Sequence, residues 1–153
     1  MLQLNLPDYN FTIKIVNDKK YIFDVNRKKY ISLTPEEWVR QNFIKFLIEE
    51  KAYPSSLIAI EKQLIMNGMK KRCDAIVCNY NAVPVMIIEF KAPNIKISQE
   101  TFDQAAVYNS KLNVGFFMIS NGLEHYCCKI DIKNSKYIYL NEIPEFFTII
   151  QNI

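Results

Sequence analysis

The sequence is poor in histidine and has no long apolar run. His125 is the only histidine among 153 residues, which excludes metal sites built from several histidines, and we expect it to be a solvent-facing strand residue. No apolar stretch reaches the ~18 residues that a membrane-spanning helix needs. The first ten residues, MLQLNLPDYN, lack the basic start and the apolar core of a secretory signal. We therefore expect a cytoplasmic protein without a membrane partner.

Cysteines are present, but not at metal-binding spacing. The four cysteines, Cys73, Cys78, Cys127 and Cys128, contain no CxxC pair. Cys127 and Cys128 are neighbours in a β-rich run, so their side chains would point to opposite faces of a strand. Nothing in the sequence indicates secretion, and we therefore expect reduced thiols in the core.

Composition and length favour one globular domain. Half of the residues are hydrophobic and 13% are aromatic, which is enough for a packed core. We predict a single domain over residues 1–153, with an N-terminal hairpin (1–26), a core (27–129) and a C-terminal strand and helix (130–153). The net charge of +3 permits a nucleic-acid partner but does not indicate one.

The periodicity predicts elements in the order β, β, α, β, β, β, α, β, β, followed by a C-terminal tail. Asn67-Gly68 is a turn dipeptide between two of the strands, and VGFFMIS is an unbroken apolar run typical of a strand covered on both faces. EIPEFFTIIQNI is the candidate C-terminal helix. This alternation predicts an α/β domain with a mixed central sheet flanked by helices.

The two main helices have recognisable starts. In SLTPEEWVRQNFIKFLIEEKAY, Thr34 is the expected N-cap, Pro35 the first helical residue and Glu37 the acid of a capping box. Val39, Phe43, Phe46 and Leu47 form its apolar stripe. In SQETFDQAAVYNSKL, Ser98 is the expected N-cap.

An acid and a base interrupt an apolar strand in IIEFKAP, where Glu89 and Lys91 share one face. If the preceding hairpin turns between Asn81 and Ala82, Cys78 faces Val85 and Asp74 faces Glu89. Asp74, Glu89 and Lys91 would then gather at one end of the sheet. A register slip of one residue would move Asp74 to the other face, and a plain cross-strand charge network is the alternative.

Two opposed carboxylates in a partly buried place repel each other and are unfavourable to desolvate. A divalent cation relieves both effects, and oxygen donors suit Mg²⁺ or Mn²⁺. A neighbouring lysine can orient or deprotonate water, or stabilise charge on a phosphate. Asp74 and Glu89 are therefore candidate metal ligands, and Lys91 is a candidate catalytic residue of a metal-dependent phosphodiesterase.

Four blocks of the sequence resemble a known family. CDAIV and IIEFKAP together are similar to the signature of the PD-(D/E)xK nuclease superfamily. More narrowly, RKKYISLTPEEWVRQNFIKFL, KKRCDAIV, MIIEFKAP and DQAAVYN resemble, in that order, the N-terminal nuclease domain of type I restriction enzyme R subunits. The resemblance covers about residues 27–129 and implies a restriction-endonuclease-like fold. It assigns metal binding to Asp74 and Glu89 and assistance of the attacking water to Lys91.

The sequence departs from this family in two places. Cys73 stands where the superfamily signature has proline, a position without a chemical role. The chain also has no GxxxxGK[ST] phosphate loop, whereas R subunits continue into an ATP-driven translocase. We therefore expect a nuclease domain that acts on DNA with a separate translocase or with restriction-modification subunits.

Further residues are candidates for supporting roles. On a helical wheel, Glu36 falls within the apolar stripe of the first helix, whereas Glu37 lies about 100° away. Many superfamily members supply a helical glutamate to the metal site, so Glu36 is a candidate catalytic residue; the alternative is that both acids only favour the helix N-terminus. Whether Glu36 or Glu37 reaches the site stays open.

Three residues are candidates for DNA binding. Gln104 and Tyr108 are four residues apart and share one helix face. The same Gln-x-x-x-Tyr pair follows the Glu-x-Lys block in the restriction-subunit and recombination-nuclease branches, where it is similar in position to a DNA-contacting element beside the active site. Strand alternation sends Arg72 to the face of Asp74, where it could contact phosphate, and Lys71 to the opposite face. The alternatives are a helix-surface pair and a solvated strand start.

The leading hypothesis is a Mg²⁺- or Mn²⁺-dependent DNA endonuclease of restriction type. A repair or recombination nuclease on branched or single-stranded DNA would use the same residues. A non-catalytic nucleic-acid-binding module that keeps the fold is the alternative from another class, although such a module would normally have lost the acid–acid–lysine set.

Overall fold

The computed structural model describes residues 1–66, 68–131, 133–134 and 136–151, and only the backbone of Met66. The predicted turn residue Asn67 and the last two residues of the predicted C-terminal helix lie outside the described residues. The strands are β1 (Ile13–Val16), β2 (Lys19–Asp24), β3 (Lys29–Ser32), β4 (Ile58–Met66), β5 (Met69–Cys78), β6 (Pro84–Phe90), β7 (Phe116–Ser120), β8 (His125–Asp131) and β9 (Lys136–Tyr139). The helices are α1 (Pro35–Glu50), α2 (Gln99–Ser110) and α3 (Phe146–Gln151).

The central sheet has six strands in the order β4-β5-β6-β7-β8-β9. Neighbouring strands are antiparallel except β6 and β7, which run parallel and are connected through α2. Every residue of β7 is buried, as expected for a strand covered on both faces. The predicted α/β class with a mixed central sheet and flanking helices is confirmed.

The sheet separates two apolar cores. The core on the α1 side contains Val39, Phe43 and Leu47 of that helix, which are all fully buried. The core on the α2 side contains Phe102 and Ala106. Because β6 and β7 contribute side chains to both cores, the centre of the sheet is fixed from two sides.

In β8, the predicted orientations of the cysteines and of the histidine can be compared with the structure. Cys127 packs in the α1-side core and Cys128 in the α2-side core, so adjacent thiols point to opposite faces as predicted. All four cysteines are free thiols. The solvent-facing prediction for His125 is wrong: its ring lies 5.2 Å from that of Phe43, and its Nε2–H donates to the Asn5 carbonyl at 3.0 Å. The residue anchors the N-terminal segment to the sheet.

Both predicted helix starts are confirmed. The Thr34 hydroxyl accepts from the Glu37 amide at 3.1 Å, and the Ser98 hydroxyl accepts from the Thr101 amide at 3.1 Å. The capping box is not completed in α1, because the Glu37 carboxylate is bound by Arg27, Arg40 and Gln41. Glu37 therefore joins the helix to its surroundings rather than closing its first turn.

The N-terminal segment forms a three-stranded antiparallel sheet, β1-β2-β3, where the sequence predicted two strands. The additional strand, β3, is four residues long, too short to show a clear pattern. One face of β2 is turned inward, since Ile22 and Asp24 are both buried. Within the described part of the chain, no helix is long and apolar enough to cross a membrane.

Candidate functional site

The hairpin of β5 and β6 has the predicted register over its central pairs. Ala75 pairs with Ile88 and Ile76 with Ile87, which is the register that would bring Asp74 opposite Glu89. Near the turn a bulge shifts the register, so Cys78 pairs with Pro84 and not with Val85. The paired positions end at Ala75, one residue before Asp74, where the two strands begin to separate.

Asp74 lies at a break in the face alternation of β5. Two residues apart in a regular strand share a face, yet Cys73 packs in the α2-side core and Ala75 in the α1-side core. On the neighbouring strand, Glu61 has a φ of 51° and is skipped in the pairing of β4 with β5. This irregularity explains why a two-residue period does not give the orientation of the side chains near Asp74.

The Asp74 carboxylate has a backbone donor but no salt bridge among the described residues. Its Oδ2 accepts the Phe90 amide hydrogen at 2.8 Å. Burial raises the pKa of Asp74, and the Glu89 charge raises it further, against the opposing effects of the Phe90 amide and Lys91. Asp74 is thus a desolvated acid next to another acid.

Asp74 opens into a cleft of about 420 Å³ beside the start of α1. Its lining is strongly polar and consists of Thr34, Pro35, Glu36, Glu37, Arg40, Glu61, Asp74 and Ala92. Three of these residues are acids besides Asp74 itself. The cleft therefore gives a small, cationic or water-bridged ligand access to the Asp74 carboxylate.

Glu89 is turned towards α2. Its carboxylate forms a salt bridge with the ammonium group of Lys71, and the two side chains are 19% and 14% exposed. The same ammonium group donates to Asn109 Oδ1 on α2 at 2.9 Å. Glu89 acts on Asp74 electrostatically, but its own charge is balanced by Lys71.

Lys91 follows β6 directly and is half-buried. Its backbone amide donates to the Ser120 carbonyl at 2.9 Å, which fixes the chain beside the end of β7. The Lys91 charge lowers the pKa of both Asp74 and Glu36, so its ammonium group lies near both carboxylates. No salt bridge of Lys91 occurs within the described residues. The cation is therefore close to the acids without being paired to one of them.

The two glutamates at the start of α1 have different surroundings. Glu37 is engaged by Arg27 at 3.0 Å, by Gln41 at 2.9 Å and by Arg40. Glu36 is exposed in the first turn, and partial burial together with the Asp74 charge raises its pKa. The charges of Glu36 and Asp74 thus act on each other, whereas Glu37 lines the same cleft with its carboxylate held by Arg27, Arg40 and Gln41.

A group of paired charges adjoins the cleft, and we call it the junction cluster (Asp24, Arg27, Glu37, Arg40). Asp24 Oδ2 lies 2.6 Å from Arg27 Nε and 3.4 Å from Arg40 Nη1. Asp24 and Arg40 are buried, with 3% and 5% of their surface exposed. The cluster ties the N-terminal sheet to α1 and so fixes the helix start that carries Glu36.

The predicted DNA-contacting residues are all exposed. Gln104 and Tyr108 lie on the outer face of α2, where Gln104 Nε2 is 3.4 Å from Glu100 Oε1. The Tyr108 ring lies 5.0 Å from the ammonium group of Lys71. Arg72 is 74% exposed and contacts Glu61 at 3.5 Å, but no described hydrogen bond or ion pair joins it to Asp74. Tyr108 thus adjoins Lys71, the partner of Glu89, and Gln104 lies one helical turn before Tyr108 on α2.

The sequence reading missed Lys71 and Asn109. Lys71 was expected on the face opposite Asp74, but the structure places its ammonium group on Glu89. Asn109 directly follows Tyr108 and is fully buried, which is unusual for an asparagine. The Lys-Lys-Arg run itself was the available signal, but the partners of Lys71 are 18 and 38 residues away.

Asp74 and Glu89 are the residues that could hold a cation. Within the described ranges, no three or more His, Cys, Asp or Glu side chains are grouped to hold a metal ion. Mg²⁺ needs fewer protein ligands, because it is commonly bound through one or two carboxylates and keeps several waters. Burial and the Glu89 charge raise the pKa of Asp74, and a divalent cation bound beside this carboxylate would offset both effects.

Comparisons with known proteins give a family match over most of the chain and a solved structure of similar fold. Residues 35–144, well over half of the chain, match the model of the type I restriction enzyme R protein N terminus (HSDR_N). No curated protein matches the chain significantly. A solved fragment of a protein assigned as an HsdR subunit of a type I restriction enzyme, from Vibrio vulnificus YJ016, is similar in fold at a TM-score of 0.53 and 18% identity.

That similarity covers 78% of this chain but only 26% of the Vibrio chain. The matched residues 35–144 extend from the start of α1 to the segment before α3 and include the hairpin that carries Asp74 and Glu89. The chain therefore belongs to the family of type I restriction enzyme R protein N-terminal domains.

Proposed function

We propose that this chain is a DNA nuclease domain of restriction type that hydrolyses phosphodiester bonds with the help of Mg²⁺ or Mn²⁺. The observation that carries the proposal is the place of Asp74, whose carboxylate lines a cleft with Glu36 and is close enough to Glu89 and Lys91 for both charges to act on its pKa. The raised pKa of Asp74 supports a functional role for this acid, because stabilising charge pairs lower the pKa of a carboxyl. Membership of the R-subunit family supports DNA as the substrate.

In this proposal Asp74 and Glu89 hold the cation, and Glu36 contributes from the first turn of α1. The bound cation would supply charge stabilisation for the phosphate and lower the pKa of a water. Lys91 orients the attacking water or stabilises charge on the phosphate, and the closeness of its charge to Asp74 suits either role. Water attacks phosphorus, and the bond from phosphorus to the leaving oxygen breaks.

The exposed residues would bind the substrate. Gln104 offers a donor and an acceptor, and Tyr108 offers a hydroxyl and a stacking surface. Arg72, being exposed at the start of β5, would contact phosphate. Because the chain spans only a quarter of the Vibrio relative, we propose that a separate translocase or other restriction-modification subunits deliver it to DNA.

The test separates metal binding from catalysis. Wild-type protein should bind Mg²⁺ in calorimetry, and its thermal midpoint should rise, since a ligand at a hundredfold its Kd stabilises by about 2.7 kcal/mol. Asp74→Asn should lose this rise, whereas exposed Asp8→Asn should keep it. Lys91→Ala should keep metal binding and lower plasmid nicking by about 10²–10⁴-fold, while exposed Lys96→Ala nicks normally.

Two outcomes contradict the proposal. Absence of metal binding by the wild type at millimolar concentration would remove the metal site. Nicking that persists unchanged in Lys91→Ala would show that the reaction occurs elsewhere. Plasmid, branched and single-stranded DNA should all be offered, because the preferred substrate separates restriction from repair chemistry.

A further inference from the structure

Lys71 links the candidate metal ligand Glu89 to helix α2. Its ammonium group contacts the Glu89 carboxylate and donates to Asn109 Oδ1 at 2.9 Å. The same group lies 5.0 Å from the centre of the Tyr108 ring. Lys71 is 14% exposed, so this arrangement is formed in a mostly desolvated place.

The two groups that hold Lys71 differ in charge. Asn109 is fully buried, and its Nδ2 donates to the Ala105 carbonyl at 2.8 Å, which directs Oδ1 towards Lys71. A neutral amide oxygen satisfies one N–H of the ammonium group without neutralising it. Among the residues that the structure describes, Glu89 is the one acid that forms a salt bridge with Lys71. Lys71 would therefore keep a polar partner and an aromatic neighbour if the Glu89 carboxylate moved away from it.

An ammonium group and a divalent cation compete for one carboxylate. Because like charges repel strongly in a desolvated place, the Lys71 ammonium group on Glu89 weakens the binding of a divalent cation to that carboxylate. Asp74 has no such lysine partner within the described residues, although both acids are partly buried. Competition between an ammonium group and a metal ion is therefore expected at Glu89 and not at Asp74.

We propose that the ammonium group of Lys71 neutralises Glu89 in the metal-free protein. A divalent metal must displace this ammonium group from Glu89, and Asn109 then holds the group beside Tyr108. The inference rests on the proposed metal site. Lys71 is a positioning residue: it sets the metal affinity and connects metal binding to α2, the helix that carries the proposed DNA contacts. The ammonium group, once released from Glu89, remains next to the exposed face of Gln104 and Tyr108 and is free to pair with phosphate.

The experiment compares metal affinities measured by calorimetry on chelator-stripped protein. Lys71→Met keeps the length of the side chain and removes its charge. Since partners of metal ligands change metal affinity by about 10–100-fold when removed, we expect Lys71→Met to bind Mn²⁺ roughly tenfold more tightly than wild type. Lys70→Met makes the same change at the exposed neighbouring position and should leave the Kd unchanged. Lys71→Arg keeps the charge and should stay near the wild-type Kd.

The direction of the change in metal affinity distinguishes this role of Lys71 from a purely structural one. A lysine that only stabilises the fold would lower the metal-free thermal midpoint on substitution without changing the Kd, and a lysine that orients Glu89 for the metal would weaken binding. Either result overturns the inference while leaving the proposed nuclease intact. Loss of metal binding in wild type and variants alike would instead refute the metal site, and the inference with it.

A measurement on the wild-type protein covers the case in which Lys71→Met does not fold. The side-chain ammonium signal of Lys71, observed by nuclear magnetic resonance with ¹⁵N-lysine, should shift on addition of diamagnetic Mg²⁺ as Glu89 leaves it. The signal of Lys70 should not move. A Lys71 signal that is unchanged at saturating Mg²⁺ would mean that the salt bridge with Glu89 persists, and would overturn the proposal.

Discussion

Two groups of charges lie on either side of the start of α1, and they differ in how completely the charges are paired. In the junction cluster, hydrogen bonds from Arg27 and the positive charges of Arg27 and Arg40 outweigh the effect of burial and hold the pKa of Asp24 below its ordinary value. We call the second group the site cluster (Glu36, Asp74, Glu89, Lys91). In it, burial and acid neighbours raise the pKa of Asp74.

Both aspartates are partly or fully buried, so burial alone does not decide their roles. The decisive difference is the number of cations within hydrogen-bonding distance: two for Asp24, and none among the described residues for Asp74. Paired acids stabilise a fold, whereas unpaired acids at a cleft are typical of sites that bind a ligand. The chain thus keeps its structural charges and its candidate catalytic charges on neighbouring but separate residues.

The comparison is tested most strongly by removing Asp24. Asp24→Ala leaves Arg40 buried with fewer partners, and breaking such a buried pair typically destabilises by about 3–5 kcal/mol. We expect a fall of this size in the free energy of unfolding, measured with urea. The exposed pair of Lys45 and Glu49, 3.0 Å apart, provides the control: Lys45→Ala should cost no more than about 0.5 kcal/mol. Equal effects of the two substitutions would show that the junction cluster has no special structural role.

Much of the fold follows from local sequence, because caps and periodicity act over a few residues. Thr34 and Ser98 cap their helices as the sequence predicts, and the register of β5 with β6 follows from the length of one hairpin. The sequence did not predict β3, whose four residues gain their strand conformation from pairing with β2. Nor did it predict the environment of His125, which depends on the distant Asn5.

The site was less predictable than the fold, for a geometrical reason. Strict alternation along β5 fails near Asp74, because the positive φ of Glu61 on the neighbouring strand disturbs the pairing opposite Asp74. Glutamate rarely adopts a positive φ, so the residue type at position 61 does not predict the irregularity. Lys71 therefore reaches Glu89, contrary to the period of two. The roles of Asp74, Glu89, Lys91, Glu36 and the exposed Gln104, Tyr108 and Arg72 stay predictions.

A second prediction sharpens the comparison by changing an exposed residue beside the site cluster. Gln104→Ala should leave stability within about 0.5 kcal/mol, because the side chain is exposed. It should weaken DNA binding by about 0.5–1.5 kcal/mol, the usual net contribution of one hydrogen bond, and slow cleavage only in part. Fluorescence anisotropy with labelled DNA measures the affinity. Gln63→Ala, an exposed glutamine on β4, is the matched control, and an equal loss of affinity there would argue against a specific role for Gln104.

The smallest effect, and the one with the most informative sign, concerns Asp74 in metal-free protein. Because the folded pKa of Asp74 is raised, the folded state binds its proton more tightly than the unfolded state. Stability from this group is therefore present below the ordinary aspartate pKa of about 3.9 and is lost as pH rises through the folded value. At neutral pH the ionised carboxylate destabilises the metal-free fold.

Asp74→Asn should consequently stabilise the protein at neutral pH in the presence of a chelator, by up to about 1 kcal/mol, as when other unfavourable charges are removed. Asparagine can still accept the Phe90 amide hydrogen through its side-chain oxygen, so the substitution changes charge more than geometry. The gain should vanish below the ordinary aspartate pKa, where Asp74 itself is neutral. Asp24→Asn should show the opposite sign, with a loss at neutral pH that shrinks on acidification, since the pKa of Asp24 is lowered. Urea unfolding of both variants across this pH range measures the two slopes, and slopes of the same sign would refute the distinction between the two clusters.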